Sequence, residues 1–223
     1  MYFRRNVGGI VIQIPGCVFT KVLIRDSSYG DCNALMRSAG HVRVQVERVM
    51  MVERLIFFDI DGTLVPDTST GSFIAKRLGS LEQMAAAERA YEEGRIDNGE
   101  VCAIDAASWC GYLRAEVESW LDELPLIAGI RETVDACRGA GIEPHLASLA
   151  WTVVGEYLCR RFGFTGCCGP VLEEEDGVFT GRVKRVFDEY DKRDYALRVC
   201  AERGIDPARC IAVGDSRSDL PLF

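Results

Sequence analysis

RLIFFDIDGTLV, residues 54–65, decides how the rest of the chain is read. Leu55, Ile56, Phe57 and Phe58 form a short apolar run that ends at Asp59. Such a run, without polar alternation, suits a parallel strand buried on both faces that delivers a polar residue at its carboxyl end. Asp59 and Asp61 are two residues apart, a spacing that points both carboxylates the same way in an extended chain. Gly62 then permits a tight turn in which backbone N–H groups meet an anion. Taken alone, an acidic pair before Gly is equally a common surface turn.

Downstream, the next strand-like run is IEPHLASL, 142–149. Between the two, SFIAKRLGSLEQMAAAERAYEEG (72–94) and VCAIDAASWCGYLRAEVESWLDEL (101–124) each read as an amphipathic helix, giving a helical insertion over 67–126. GIRETVDACRGAG (129–141) and AWTVVGEYLCRRFG (150–163) read as helices closed by Gly, and CCGPVL (167–172) as a further strand. EEEDGVFTGRV (173–183) reads as an acidic turn with a short hairpin, DKRDYALRVCAERG (191–204) as a helix capped by Asp191, and CIAVGD (210–215) as a last apolar strand. Repeated strand–helix units predict an α/β fold with a doubly wound parallel sheet. Sites in such sheets sit at the carboxyl ends of strands, where Asp59, Ser148 and Asp215 fall.

The second acidic signal is GDSRSDLP, 214–221, in which Asp219 follows Asp215 by four residues. Either acidic cluster alone reads as a solvated loop. Two of them at the ends of adjacent buried strands repel each other unless a cation intervenes. Oxygen ligands select a hard divalent ion, and Mg²⁺ is the natural choice.

The formal charge of −8 and isoelectric point near 4.9 argue against nucleic acid or an anionic membrane as partner, since both require positive surface. Residues 1–49 carry 7 basic and 3 acidic side chains, so the composition shifts near Met50. Within them GGIVIQI, CVFTKVLI and HVRVQVERV read as strands of a small ββαβ appendage. An equal alternative is upstream sequence read from a misplaced start, because MMVERLIFFDIDGTLV opens like a complete domain. No apolar run approaches the roughly 18–20 residues that cross a bilayer. The ten cysteines form no C-x-x-C pair, so they read as reduced, packed thiols of a cytoplasmic protein. Trp109, Trp120 and Trp151 read as packing residues, and His145 as a hydrogen-bonded structural imidazole within its strand.

DIDGT after the first strand, Ser148 in HLASLAW after the second, a Lys before a helix and GDSRSDLP after the last resemble, in that order, the motifs of the haloacid dehalogenase-like hydrolase superfamily. DGVFTGRV followed by Lys192, and helices between the first two motifs, are similar to its phosphoserine phosphatase-like branch. The resemblance covers roughly residues 54–223. It implies a core of residues 50–66 and 127–223, with 67–126 as a helical cap and 1–49 as an extension. It implies that Asp59 is a nucleophile forming an aspartyl-phosphate, and Asp61 the acid and base. Gly62, Ser148 and Lys192 would hold the phosphate of a small phosphorylated metabolite; Lys184 is the rival lysine. Asp59, Asp61 through its carbonyl, Asp215 and Asp219 would hold Mg²⁺. The cap arginine with which phosphoserine phosphatases hold the substrate carboxylate has no counterpart in DNGEVCAIDAASWCGYL; Arg95 or Arg114 would need a shifted alignment. The family also continues beyond the equivalent of Phe223, so the strand ending at Asp215 is expected near a sheet edge, with weak stability or a homodimer as the result. Phosphoryl transfer between hydroxyls, and a fragment that only binds a metal or partner, are the alternative functions.

Overall fold

The computed structural model describes residues 3–6, 9–12, 21–23, 45–47 and 52–222. The chain divides into two units, Met1–Met51 and Val52–Phe223. In the first, β1 (Phe3–Asn6), β2 (Gly9–Ile12), β3 (Lys21–Leu23) and β4 (Gln45–Glu47) form an antiparallel sheet in sequential order. β2, β3 and β4 fall within the three strands read from sequence, and β1 is additional. The helix of the expected ββαβ order lies outside the described residues.

In the second unit, β5 (Arg54–Phe58), β6 (Ile142–Ala147), β7 (Gly166–Cys168) and β10 (Ile211–Val213) form a parallel sheet of order β10-β5-β6-β7. β10 lies at one edge of the described sheet. Three helices join the strands: α5 (Ile130–Gly139) leads into β6, α6 (Thr152–Phe162) links β6 to β7, and α7 (Glu189–Arg203) leads into β10. Leu55, Ile56, Phe57 and Phe58 are all buried because both sheet faces are covered. Their period of two divides them. Ile56 and Phe58 pack with Val134 of α5 and Val153, Val154 and Leu158 of α6, whereas Leu55 and Phe57 pack with Tyr195, Val199 and Cys200 of α7. At about 1.5–3 kcal/mol per buried large apolar side chain, this strand is a main anchor of the core.

Pro144 sits inside β6, where a central strand ordinarily excludes proline. Its carbonyl accepts a hydrogen bond from the Thr165 N–H at 2.8 Å, so its donor-less nitrogen faces the β7 side. Pairing there begins only at the next residue, His145 opposite Gly166.

The helices between β5 and β6 are shorter than the sequence pattern predicts. The first pattern splits into α1 (Thr70–Leu78) and α2 (Leu81–Glu92), because Gly79 takes a left-handed φ of 75° and closes α1. The second splits into α3 (Asn98–Ala106) and α4 (Arg114–Trp120), with 3₁₀ turns at Ala107–Trp109 and Leu121–Glu123. Gly111, at φ 86°, lies between them. CCGPVL is likewise two strands, since Gly169 and Pro170 separate β7 from β8 (Val171–Glu175). β8 pairs with β9 (Val178–Arg185) as the expected antiparallel hairpin. The cap of α7 lies three residues earlier than expected. Asp188 is its N-cap, accepting from Tyr190 and Asp191 N–H groups, and Asp191 reaches back to the Asp188 N–H. This reciprocal box, rather than Asp191 alone, sets the helix start.

Candidate active site

Asp59 is the first residue beyond β5, and its N–H still donates to the Val213 carbonyl of β10 at 2.8 Å. Asp215 and Asp219 follow β10 directly. One carboxylate oxygen from each of the three lies within 4.8 Å of the others. Lys192, from the second turn of α7, is completely buried with its Nζ 3.2 Å from Asp59 Oδ1 and 2.8 Å from Asp219 Oδ1. It also donates to the Ser218 hydroxyl at 3.1 Å. Burial works against the charged Lys192, but Asp59 and Asp219 outweigh it and hold the ammonium above its usual range.

Burial pushes the Asp59 carboxyl up, and Asp219 adds to this; the Lys192 ammonium and the Ser148 hydroxyl pull it down. Ser148 is 1% exposed; its oxygen accepts the Ala150 N–H at 3.2 Å and its hydroxyl is directed to the Asp59 carboxylate. Asp59 Oδ1 is buried and has no hydrogen-bond partner, the nearby ammonium lying outside hydrogen-bond alignment. Three carboxylates against one ammonium leave an excess of negative charge beside that orphaned oxygen. The residues present therefore fit a hard divalent cation.

The four carboxylates differ in what they can do. Both Asp219 oxygens are already engaged, Oδ1 by Lys192 and Oδ2 by the Asp215 N–H, the Ser216 N–H and the Ser216 hydroxyl at 3.0–3.2 Å. Asp219 thus organises the loop and holds Lys192. Asp215 is exposed and receives the Thr63 hydroxyl at 3.1 Å, a contact that nothing in the sequence announced. Asp61 departs from the expectation that both members of the pair point one way. The chain turns after Asp59, and the Asp61 side chain goes to the start of α1, accepting the Thr70 N–H at 2.6 Å and the Thr70 hydroxyl at 3.0 Å. Burial, with Asp59 adding, pushes its carboxyl up to about 7 despite the Thr70 amide. Gly62, at φ 78°, lies so close to Asp215 that a Cβ would sit 2.0 Å from Oδ2. No other residue fits there without moving the carboxylate.

Lys184 is exposed on β9, whereas Lys192 is within the cluster. Arg114 is occupied by Glu118, Glu156 and Glu174, and Arg95 is exposed beside Glu93. Sequence reasoning overlooked Arg217, whose Nη2 donates to the Tyr91 carbonyl at 2.7 Å while its guanidinium lies 4.8 Å from the Tyr91 ring centroid. It also overlooked Asp105 of α3, a buried carboxylate whose Oδ2 receives the indole N–H groups of Trp109 at 3.1 Å and Trp151 at 2.6 Å. Both tryptophans pack as expected. His145 is structural as well. Glu143 Oε1 can only accept, so Nε2 carries the proton and Nδ1 accepts from the Tyr195 hydroxyl, each at 2.9 Å. A groove of about 490 Å³ between α4 and α6, lined by Glu118, Asp122, Tyr157, Arg160 and Arg161 among others, contains none of the cluster residues.

The profile of the haloacid dehalogenase-like hydrolases matches residues 56–223. The chain belongs to this family. A phosphoserine phosphatase of Albidiferax ferrireducens is 32% identical over 177 residues, covering 76% of this chain and 74% of that protein. Among solved structures, a hydrolase of this family from Salmonella enterica serovar Typhi superposes with a TM-score of 0.70 at 21% identity, covering 80% of this chain and 62% of its own. The phospho-aspartyl intermediate analogue of a phosphoserine phosphatase superposes at 0.67 with 23% identity, covering 77% and 82%. These superpositions establish the shared fold. The hydrolase thus has a parallel α/β sheet with its acidic cluster at the carboxyl ends of β5 and β10. Among the described residues no helix is long and apolar enough to cross a membrane.

Proposed function

We propose that this hydrolase is a Mg²⁺-dependent phosphomonoester phosphatase of the cytoplasm that works through an aspartyl-phosphate on Asp59. The observation that carries the reading is the buried Asp59 oxygen, ion-paired to Lys192 but without a hydrogen bond, amid Asp215 and Asp219. Asp59 attacks phosphorus, and the bond to the leaving alcohol oxygen breaks. Asp61, raised to about 7, is partly protonated near neutrality and gives its proton to that oxygen. As a carboxylate it then takes a proton from the water that attacks the acyl phosphate, releasing inorganic phosphate and restoring Asp59. Thr70 orients Asp61 for both transfers.

Lys192 and the Ser148 hydroxyl balance charge on the equatorial phosphoryl oxygens, and the Gly62 turn brings backbone close to them. Asp59 and Asp215, with the Asp61 carbonyl, are the ligands for Mg²⁺, while Asp219 acts at one remove through Lys192 and the loop. Bound there, the ion supplies Lewis-acid polarisation of the phosphoryl group and neutralises the excess negative charge. The helices of 67–126 form the cap over this end of the sheet. The substrate is a small phosphorylated metabolite, with phosphoserine first in line from the relatives' activity.

Phosphate release from an aryl phosphate tests the reading. Asp59→Asn is expected to lower turnover by a factor on the order of 10³ or more. Undiminished turnover in that variant rejects the nucleophile. Oxygen-18 from labelled water should enter the released phosphate, and product formation without label assigns transfer to a second hydroxyl instead.

A further inference from the structure

Two cysteines that the proposed chemistry does not use are in contact. Cys200 lies in the last turn of α7 and Cys210 immediately before β10, with their sulfur atoms 3.3 Å apart. Cys200 is 3% exposed, Cys210 is partly open to solvent, and both are free thiols. A disulfide requires about 2.05 Å between sulfurs, so closure asks for an approach of little more than 1 Å, within the reach of side-chain rotation.

The intervening turn is already pinned. The Ile205 N–H donates to the Cys200 carbonyl and the Cys210 N–H to the Pro207 carbonyl, both at 2.9 Å. Asp206 caps the 3₁₀ turn Pro207–Arg209 through the Ala208 N–H at 3.0 Å. The backbone therefore presents the two thiols to each other without rearrangement.

We propose that Cys200 and Cys210 form a site of reversible oxidation, an intramolecular disulfide that clamps α7 to the start of β10. The oxidant is a hydroperoxide. Cys210, the accessible sulfur, attacks as thiolate; the O–O bond breaks, one oxygen stays on sulfur as a sulfenic acid, and the other leaves and is protonated. Cys200 then attacks the Cys210 sulfur, the S–O bond breaks, and the departing hydroxide takes the Cys200 proton to become water. With hydrogen peroxide, two thiols are oxidised and one peroxide is reduced to two waters. Burial, reinforced by Cys210, pushes the Cys200 thiol up to about 12, so the accessible Cys210 rather than Cys200 meets the oxidant first.

The clamp acts at one edge of the described sheet. β10 pairs with β5 over three residues, Ile211 to Val213, and has no second strand among the described residues. It leads to Asp215 and Asp219, while α7 carries Lys192. The cross-link joins these two elements at the end of the sheet away from the carboxylates. It follows a contact that already exists, so it holds the frame of the site without moving it.

The test treats the reduced full chain with hydrogen peroxide, quenches with catalase and alkylates the remaining thiols under denaturing conditions. A mass lower by two hydrogens and two missing alkyl groups are expected. Trypsin should release Val199–Arg203 joined to Cys210–Arg217, separable by dithiothreitol. A rise in Tm of roughly 5–10 °C follows from closing so short a loop. Cys200→Ser and Cys210→Ser should each abolish both the joined peptide and the rise. Separate peptides, a bond to Cys159, Cys167 or a second chain, or a joined peptide without a Tm rise, overturns the clamp.

Discussion

Asp59 and Asp105 are buried to nearly the same degree, 4% and 5% exposed, yet their surroundings differ in kind. Asp105 receives two neutral indole N–H groups on one oxygen and, among the described residues, makes no salt bridge. Asp59 faces an ammonium and two further carboxylates and keeps an oxygen with no hydrogen bond. Burial raises both carboxyls. The first arrangement satisfies one oxygen with neutral donors and serves to join α3 to the start of α6. The second is incomplete in lone pairs and in charge, which is the condition of a group that reacts or binds a cation.

Breaking the charged side of this comparison should have the largest effect on stability. Lys192→Met leaves Asp59 and Asp219 buried without their counter-ion, and a loss of about 3–5 kcal/mol is expected in urea denaturation. The double variant Asp59→Asn with Lys192→Met removes one of the stranded charges and should regain part of that loss. Failure to regain any would mean that Lys192 matters through packing. On the neutral side, Asp105→Leu strands two indole N–H groups, worth about 2–4 kcal/mol in the same assay. Asp105→Asn retains an accepting oxygen and should lose less.

The contrast sharpens with metal. Mg²⁺ at about 100 times its dissociation constant should stabilise the protein by roughly 2.7 kcal/mol. Asp215→Asn should erase most of that gain in a thermal shift, whereas Asp105→Asn should keep it. The smallest effect concerns a third buried group. Burial holds His145 below its ordinary value of 6.5, against the pull of Glu143. As pH falls through the window just below 6.5, the unfolded chain takes up a proton that the fold refuses, so stability declines. Glu143, held below 4.5 by Arg203 and His145 against its burial, should extend the decline further into acid. Asp61, raised to about 7, works the other way over the same window, so the His145 contribution is read as the difference between the wild-type and His145→Asn stability profiles from pH 7 to 5; two parallel profiles would contradict the His145 assignment.

Much of the sheet was legible because its signals are local. LIFF and IAV are short, wholly apolar and end at acidic loops, and both are strands in the observed sheet. Gly163 and Gly204 mark the ends of α6 and α7 as read, while α5 ends at Gly139, short of the Gly141 that closes its pattern. The long helical patterns were misread because apolar periodicity continues across Gly79 and Gly111, and only the backbone turn at each breaks it. Within the site, the meeting of Asp59, Asp215 and Lys192 was anticipated from strand ends and motif order. The divergence of Asp61 toward Thr70 was not, since it depends on where α1 begins. Asp105 was invisible for a different reason: its partners, Trp109 and Trp151, are 4 and 46 residues away, and each alone reads as a packing aromatic.

The reciprocal contacts of Asp188 and Asp191 carry an evolutionary consequence. They anchor the first turn of α7 by chemistry, so the phase of the helix does not depend on the length of chain leading into it. Insertions or deletions between Arg185 and Asp188 can be absorbed in the link. Moving the anchor itself by one residue would swing Lys192 through about 100° and out of the carboxylates' reach.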